Sequence, residues 1–249
     1  MIETTSLYGG EVICHFEPLR HKYTIITKGR RYKPASVTRI VSVLDKSGPL
    51  TYWAVNQALE LCKGAIAPGC EYAETYLEAV WEAAKKAHRA KKEEAGTRGK
   101  VLHALIEQSL GRSVCDETGI GSQVRAWLRE RDLVPRTVEG RVYSRRHRFS
   151  GTFDCIADSP TGLALLDWKS SKSIYPEFRL QTAAYQYAHE EEHPDQPIVG
   201  RYLVHISDEE VLGFQYLPRP TYRLDFAAFA GAQRLFNRIH QIEQANKKL

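Results

Sequence analysis

Residues 22–28 (KYTIITK) alternate polar and apolar positions and run into the turn-forming GRR, which predicts a short hairpin. Ser36 and Thr38 precede Ile40, Val41 and Leu44, the pattern of a short capped helix. Pro49 suits the first turn of a second helix, on which Leu50, Trp53, Ala54, Ala58 and Leu61 recur at helical spacing up to Gly64. A longer helix is expected over residues 71–94, ending in the charge-rich KKAHRAKKEE. The glycines of GTRG (96–99) predict a break there, with new helices over 100–111 and 121–132.

The period then shortens. TVEGRVYS (137–144) and the two halves of GTFDCIADSPTGLALLDWKSSK (151–172) read as strands. Residues 176–192 read as a helix, GRYLVHIS and VLGFQYL as strands, and 225–246 as a closing amphipathic helix. This order predicts an α/β fold, a mixed central sheet of about five strands flanked by helices, with a helical N-terminal region. The expected organisation is an N-terminal hairpin and helical region over 1–135 and a core over 136–249, integrated into one domain.

The hairpin at 151–172 carries charge where burial is expected. With SPTG (159–162) as its loop, Asp158 faces Leu163, so Asp154 falls opposite Asp167 and Lys169 opposite Thr152. Asp154, Asp167 and Lys169 then share one face, while Phe153, Cys155, Ala157, Ala164, Leu166 and Trp168 form an apolar face behind them. Facing carboxylates repel unless something neutralises them. A hard divalent cation such as Mg²⁺ would, and a neighbouring lysine would orient water or stabilise a phosphoryl transition state. A surface Asp–Lys salt bridge is the plainer alternative, and the hairpin alone does not choose between them. Gln181 and Tyr185, at i and i+4 on the following helix, and His103 with Glu107 upstream, are placed to join such a site.

Composition changes the picture in two respects. Thirty-five Lys and Arg against thirty Asp and Glu give a net charge of +5, compatible with a polyanionic partner without requiring one. Five scattered cysteines without a C-x-x-C pair point to reduced thiols in a cytoplasm. The N-terminus does not read as a signal peptide, and no apolar run is long enough for a spanning helix, so no membrane partner is expected.

The ordered series His103, G-T-F-Asp154, Asp167-W-Lys169 and Gln181-x-x-x-Tyr185 resembles the PD-(D/E)XK nuclease superfamily, in particular its RecB-type exonuclease branch, which includes phage recombination nucleases and mitochondrial genome maintenance exonucleases. The leader around KYTI and PASVTRIVSVLDKSGPL is also similar to phage-type members, so the likeness spans most of the chain. The resemblance implies a restriction-endonuclease-like core and a Mg²⁺- or Mn²⁺-dependent deoxyribonuclease. It would be an exonuclease on single strands or ends that leaves 5′-phosphates, in DNA recombination, repair or replication. Asp154, Asp167, His103 and the Trp168 carbonyl would hold metal, Lys169 would be the catalytic lysine, and Gln181 and Tyr185 would support the site and contact DNA. Glu139 is a further acidic candidate on the preceding strand, with an exposed strand carboxylate as the alternative. Phe153 stands where the nominal motif has proline. No cysteine follows Cys155, which excludes the iron–sulfur cluster of some members.

Arg98, Lys100, Arg145, Arg146 and Arg148 flank the motifs and are candidates for phosphate contacts. Trp53, Trp81 and Trp127 would stack bases or anchor the core. The expected partners are DNA and recombination or replication proteins, in the cytoplasm of a bacterial or phage-infected cell. Two other readings stay open: a sequence- or structure-specific endonuclease on the same core, and a non-catalytic nucleic-acid-binding module.

Overall fold

The computed structural model describes residues 2–44, 47–111 and 119–247, so Cys115 lies outside the described residues. Two compact units make up the chain. One comprises Met1–Leu44 with Leu102–Leu249, the other Asp45–Val101.

The larger unit holds two sheets. Strands β1 (Glu3–Leu7), β2 (Val12–Glu17), β3 (Lys22–Thr27) and β4 (Arg30–Tyr32) form an antiparallel meander. Val12, Cys14 and Phe16 alternate inward on β2 and pack with Tyr23 and Ile25. The hairpin expected around GRR is therefore the second half of a four-stranded sheet.

The central sheet has six strands: β5 (Ala35–Ser36), β6 (Val134–Tyr143), β7 (Phe149–Ser159), β8 (Gly162–Lys169), β9 (Ile198–Ile206) and β10 (Val211–Pro218). They run in the order β10-β9-β8-β7-β5, with β6 also paired to β7. The pairs β8–β9 and β5–β7 are parallel and the others antiparallel, so the sheet is mixed as expected. Helices cover both faces. On one, α1 (Val37–Val41), α5 (Pro176–Glu192) and α6 (Tyr222–Asn246) pack through Ile40, Ala184, Tyr185 and Phe229. On the other, the last turns of α3 (Glu74–Gly111) and α4 (Gly119–Arg129) pack through Leu102, Ile106, Val124 and Trp127. Ser36 caps α1 by accepting from the Arg39 N–H at 3.2 Å, as its position suggested. Trp127 is one of the core anchors.

The smaller unit contains α2 (Ser47–Ala65) and the longer part of α3. The Ala67 N–H donates to the Tyr72 hydroxyl at 2.7 Å, Tyr76 donates to the Ala65 carbonyl at 2.9 Å, and the two tyrosine rings stack. Trp81 is half exposed. The break expected at GTRG does not occur, and α3 runs unbroken through it. A helix-interior glycine costs only about 1 kcal/mol against alanine, which the rest of a long helix absorbs. No helix among the described residues is long and apolar enough to cross a membrane.

A buried ion pair fixes the α5–α6 layer to the sheet. Arg201 on β9, fully buried, donates to Asp225 Oδ2 at 2.6 Å and to the Arg179 carbonyl at 2.8 Å.

Candidate active site

The β7–β8 hairpin has the expected register but a tighter turn. Ser159 pairs with Gly162, leaving only Pro160 and Thr161 outside the ladder rather than SPTG. Pairing continues back to Cys155–Leu166 and stops. Asp154 and Asp167 are thus not a laddered pair, nor are Thr152 and Lys169. In place of a ladder bond, the Trp168 N–H donates to Asp154 Oδ2 at 2.7 Å.

The strict alternation read from the sequence also breaks here. Cys155, Ala157, Leu166 and Trp168 pack towards α4, whereas Phe153 packs with Ile156 and Tyr185 towards α5. Both faces of the hairpin are core, and Phe153 belongs to the opposite face from the one expected. On the neighbouring strand β6, Val138 pairs with Cys155 and Gly140 with Phe153, which puts Glu139 opposite Asp154 at the same irregular point. Glu139 has φ +53°, an uncommon conformation for a side-chain-bearing residue and a mark of local constraint.

This irregularity assembles a cluster. Ligand atoms of His103, Glu139 and Asp154 all lie within 4.8 Å of one another, with His103 Nδ1 3.4 Å from Asp154 Oδ1. His103 is delivered by the part of α3 that Leu102 and Ile106 bury against the sheet. Asp167, almost fully buried, lies 2.6 Å from Lys169 Nζ. Lys169 donates to Gln181 Oε1 at 3.4 Å and rests 4.7 Å above the Phe178 ring, while Gln181 donates to the Tyr185 hydroxyl at 2.8 Å. Beyond Lys169, a 2.6 Å hydrogen bond between His205 Nε2 and the Ser171 carbonyl anchors the chain.

The charges perturb one another strongly. The Asp154 carboxylate pushes the His103 imidazole up to about 9, against the opposing effect of burial. Burial resists ionisation of Asp154, yet His103, Lys169 and the Trp168 N–H together hold it below the usual carboxylate range. Burial, then the charge of Asp154, raises Glu139 to about 7. Asp167 rises to about 6, chiefly through burial, with Lys169 opposing. Two carboxylates and one imidazole converging where burial disfavours their charge, with the Asp167 carboxylate close enough to feel Asp154, is a donor set that suits an oxygen-preferring divalent ion.

The structure therefore brings His103, Asp154, Asp167, Lys169, Gln181 and Tyr185 together, and adds Glu139 to the first two. The Trp168 side chain is core, and its backbone joins the two groups. Phe178 escaped the sequence reading, although it precedes Gln181 by three positions, the spacing of a shared helix face. The flanking arginines are placed differently. Arg145 is engaged with Glu11 at 2.8 Å and lies over the Tyr8 ring, and the Arg146 N–H donates to Glu191. Arg148 is exposed, in the connection between β6 and β7. Arg98 and Lys100 are exposed residues of the smaller unit.

A family model described as the PD-(D/E)XK nuclease superfamily matches residues 54–247. No curated protein matches the chain in sequence. Among solved structures, the crystal structure of SSO0001 is 15% identical over 76% of this chain and 86% of that one, with a TM-score of 0.33.

Proposed function

We propose that this chain, which belongs to the PD-(D/E)XK nuclease superfamily, is a deoxyribonuclease of the RecB type that degrades single strands or DNA ends to 5′-phosphate products. Membership makes it a metal-dependent nuclease acting on nucleic acid. The exonuclease mode and a place in recombination, repair or replication rest on the order of motifs from His103 to Tyr185 and on their likeness to phage-type members. The observation that carries the site assignment is the convergence of His103, Glu139 and Asp154 beside the Asp167–Lys169 pair.

In this reading Asp154, Asp167 and His103, with Glu139 and the Trp168 carbonyl, hold Mg²⁺ or Mn²⁺. When bound, the ion lowers the pKa of water and offsets charge on the phosphoryl oxygen. Lys169, steadied by Gln181 and Phe178, donates to the attacking water or to the phosphoryl oxygen, where charge grows in the transition state. Tyr185 acts through Gln181 by fixing its amide. Arg98, Lys100, Arg145, Arg146 and Arg148 are the proposed phosphate contacts, with Arg145 exchanging Glu11 for a phosphate. The division into a helical region, 1–135, and a nuclease core, 136–249, and a cytoplasmic site of action among recombination or replication proteins, belong to the same proposal.

Time courses on 5′- and 3′-labelled linear oligonucleotides and on closed circular DNA, with Mn²⁺, test it. Stepwise products from linear DNA and no cut in the circle are expected. Cutting of the circle would replace the exonuclease reading with an endonuclease, and no hydrolysis of any DNA would overturn both.

A further inference from the structure

The larger unit carries a concave surface lined by none of the residues assigned to metal or catalysis. It is an open cleft of about 580 Å³ between β3, β4, α1, the β6–β7 connection and α6. That volume is within the range of small-ligand sites, about 300–1,000 Å³. Lys22, Lys33, Arg39 and Arg148 line it, together with His240, whose Nδ1 lies 3.9 Å from Glu243 Oε2, and no Asp or Glu is part of the lining.

The missing counter-charge is the informative feature. Elsewhere in this unit several arginines are matched by carboxylates, among them Arg136 by Asp158, Arg141 by Glu3, Arg145 by Glu11, Arg201 by Asp225 and Arg219 by Glu190. Among the described residues, Lys22, Lys33, Arg39 and Arg148 form no ion pair with a carboxylate. Gathering unpaired like charges around one concavity costs self-repulsion and focuses a positive potential into it, the arrangement that draws a polyanion. A stacking surface lies alongside. Phe236 and His240 are parallel at 6.3 Å, and Arg39 is held 5.5 Å over the Phe236 ring. Tyr23 also lines the cleft and makes a 2.8 Å hydrogen bond with Thr152, two residues before Asp154.

We propose that this cleft is a non-catalytic track for a single nucleic-acid strand. Its cations hold successive phosphates and its Phe236–His240–Arg39 surface stacks a base. The four cations Lys22, Lys33, Arg39 and Arg148 come from four separate segments of chain, which suits a row of phosphates better than the single phosphate of a free nucleotide. Positive groove and aromatic platform together are the usual means of holding a strand without reading its sequence. The inference goes beyond the nuclease reading and does not depend on it, because strand binding here requires neither metal nor Asp154.

The test is fluorescence anisotropy of a labelled oligothymidylate on the full chain in EDTA, so that no hydrolysis intervenes. Wild type is compared with Lys22→Glu/Lys33→Glu, with the neutral pair Lys22→Gln/Lys33→Gln, and with Phe236→Leu. Circular dichroism checks that each is folded. The charge-reversed pair should weaken binding at least about tenfold and flatten the salt dependence by about two contacts, with the neutral pair intermediate. Phe236→Leu should weaken binding with no change in salt slope. Hydrolysis of a minimal substrate, thymidine 5′-p-nitrophenyl phosphate with Mn²⁺, should stay at the wild-type rate in the Lys variants if the protein is a nuclease. Unchanged affinity and slope in both Lys pairs would overturn the proposal. So would displacement of the oligonucleotide by thymidine monophosphate at equal phosphate concentration, which would make the cleft a mononucleotide site. Absence of hydrolysis in every protein, with these binding differences intact, would count against the nuclease reading alone.

Discussion

The Trp168 N–H donates to Asp154 Oδ2 at 2.7 Å, and this one bond joins the two carboxylate-bearing strands at the point where their ladder ends. It leaves Asp154 Oδ1 facing His103. Asp154→Asn keeps an oxygen acceptor for Trp168 and removes the charge. Folding should survive, while hydrolysis falls about 100-fold or more, the scale of losing a preorganised electrostatic group. Because the Asp154 charge is the main cause of the raised His103 value, the His103 titration should move from about 9 towards 6.5. NMR of the histidine ring reads this directly. An unmoved His103 titration would sink the assigned coupling.

Lys169 and Tyr185 differ in what they touch. Lys169 faces Asp167 at 2.6 Å, whereas Tyr185 meets only Gln181 in this chain of contacts. Lys169→Ala should abolish measurable hydrolysis with DNA binding largely kept. Tyr185→Phe keeps the ring in its core position and removes one hydrogen bond, about 0.5–1.5 kcal/mol of stability. Its rate loss should be much the smaller. Single-turnover rates and urea melts on both variants check the order, and equal losses would contradict the proposed roles.

Three groups around the site carry raised values: Asp167 at about 6, Glu139 at about 7 and His103 at about 9. Each lies above its ordinary value, so the folded chain holds more protons than the unfolded one. Their stabilisation is complete below the unfolded values and disappears as pH rises through these three. Asp154, held low, acts in the opposite sense only at more acid pH. The Tm in EDTA should therefore fall from about pH 5 to about pH 9. Mn²⁺ competes with protons for the same ligands, so its stabilising shift should grow with pH. A shift that is the same at both ends of this range would place the ion elsewhere.

Much of this was legible in sequence because local signals and tertiary context agreed. Pro176 at a first turn and apolar spacing to Glu192 mark α5, and it forms over those residues. Pro160 and Gly162 fixed the hairpin register to Cys155–Leu166. The remainder lay in long-range effects or in unused signals. The φ of Glu139 depends on pairing with a strand fifteen residues away, which no local pattern reports. The glycines of GTRG looked like a stop, yet a long helix outweighs them. The alternating Val12, Cys14 and Phe16 of β2 were readable, and their burial against Tyr23 completes the meander that walls the cleft.

Arg201 offers a stability prediction separate from the chemistry. It is fully buried and shares Asp225 with Arg179. Arg201→Met leaves Asp225 facing a core without its closest counter-charge, and breaking a buried pair from one side costs about 3–5 kcal/mol. The double change Arg201→Met/Asp225→Leu should recover part of this, since it removes both charges. Denaturant melts of the three proteins form the cycle, and a double variant no better than the single would show that the pair is not the cause.

Gly151 tests the link between packing and the site. A Cβ there would lie 2.4 Å from Tyr185 Cε1 and 3.2 Å from Val37 Cγ2, so the buried Tyr185 ring has to move. Overpacking of this kind costs about 1–3 kcal/mol. The displaced ring would carry its hydroxyl away from Gln181, the residue whose Oε1 accepts from Lys169. Gly151→Ala should thus lower both stability and rate. Tyr185→Leu alone should cost stability, but combined with Gly151→Ala it relieves the clash, and the melts should show a favourable coupling of about 0.5–3 kcal/mol. The rate should not recover with stability, because the hydroxyl that fixes Gln181 is gone. Full recovery of the rate in the double variant would show that Lys169 is positioned without Tyr185.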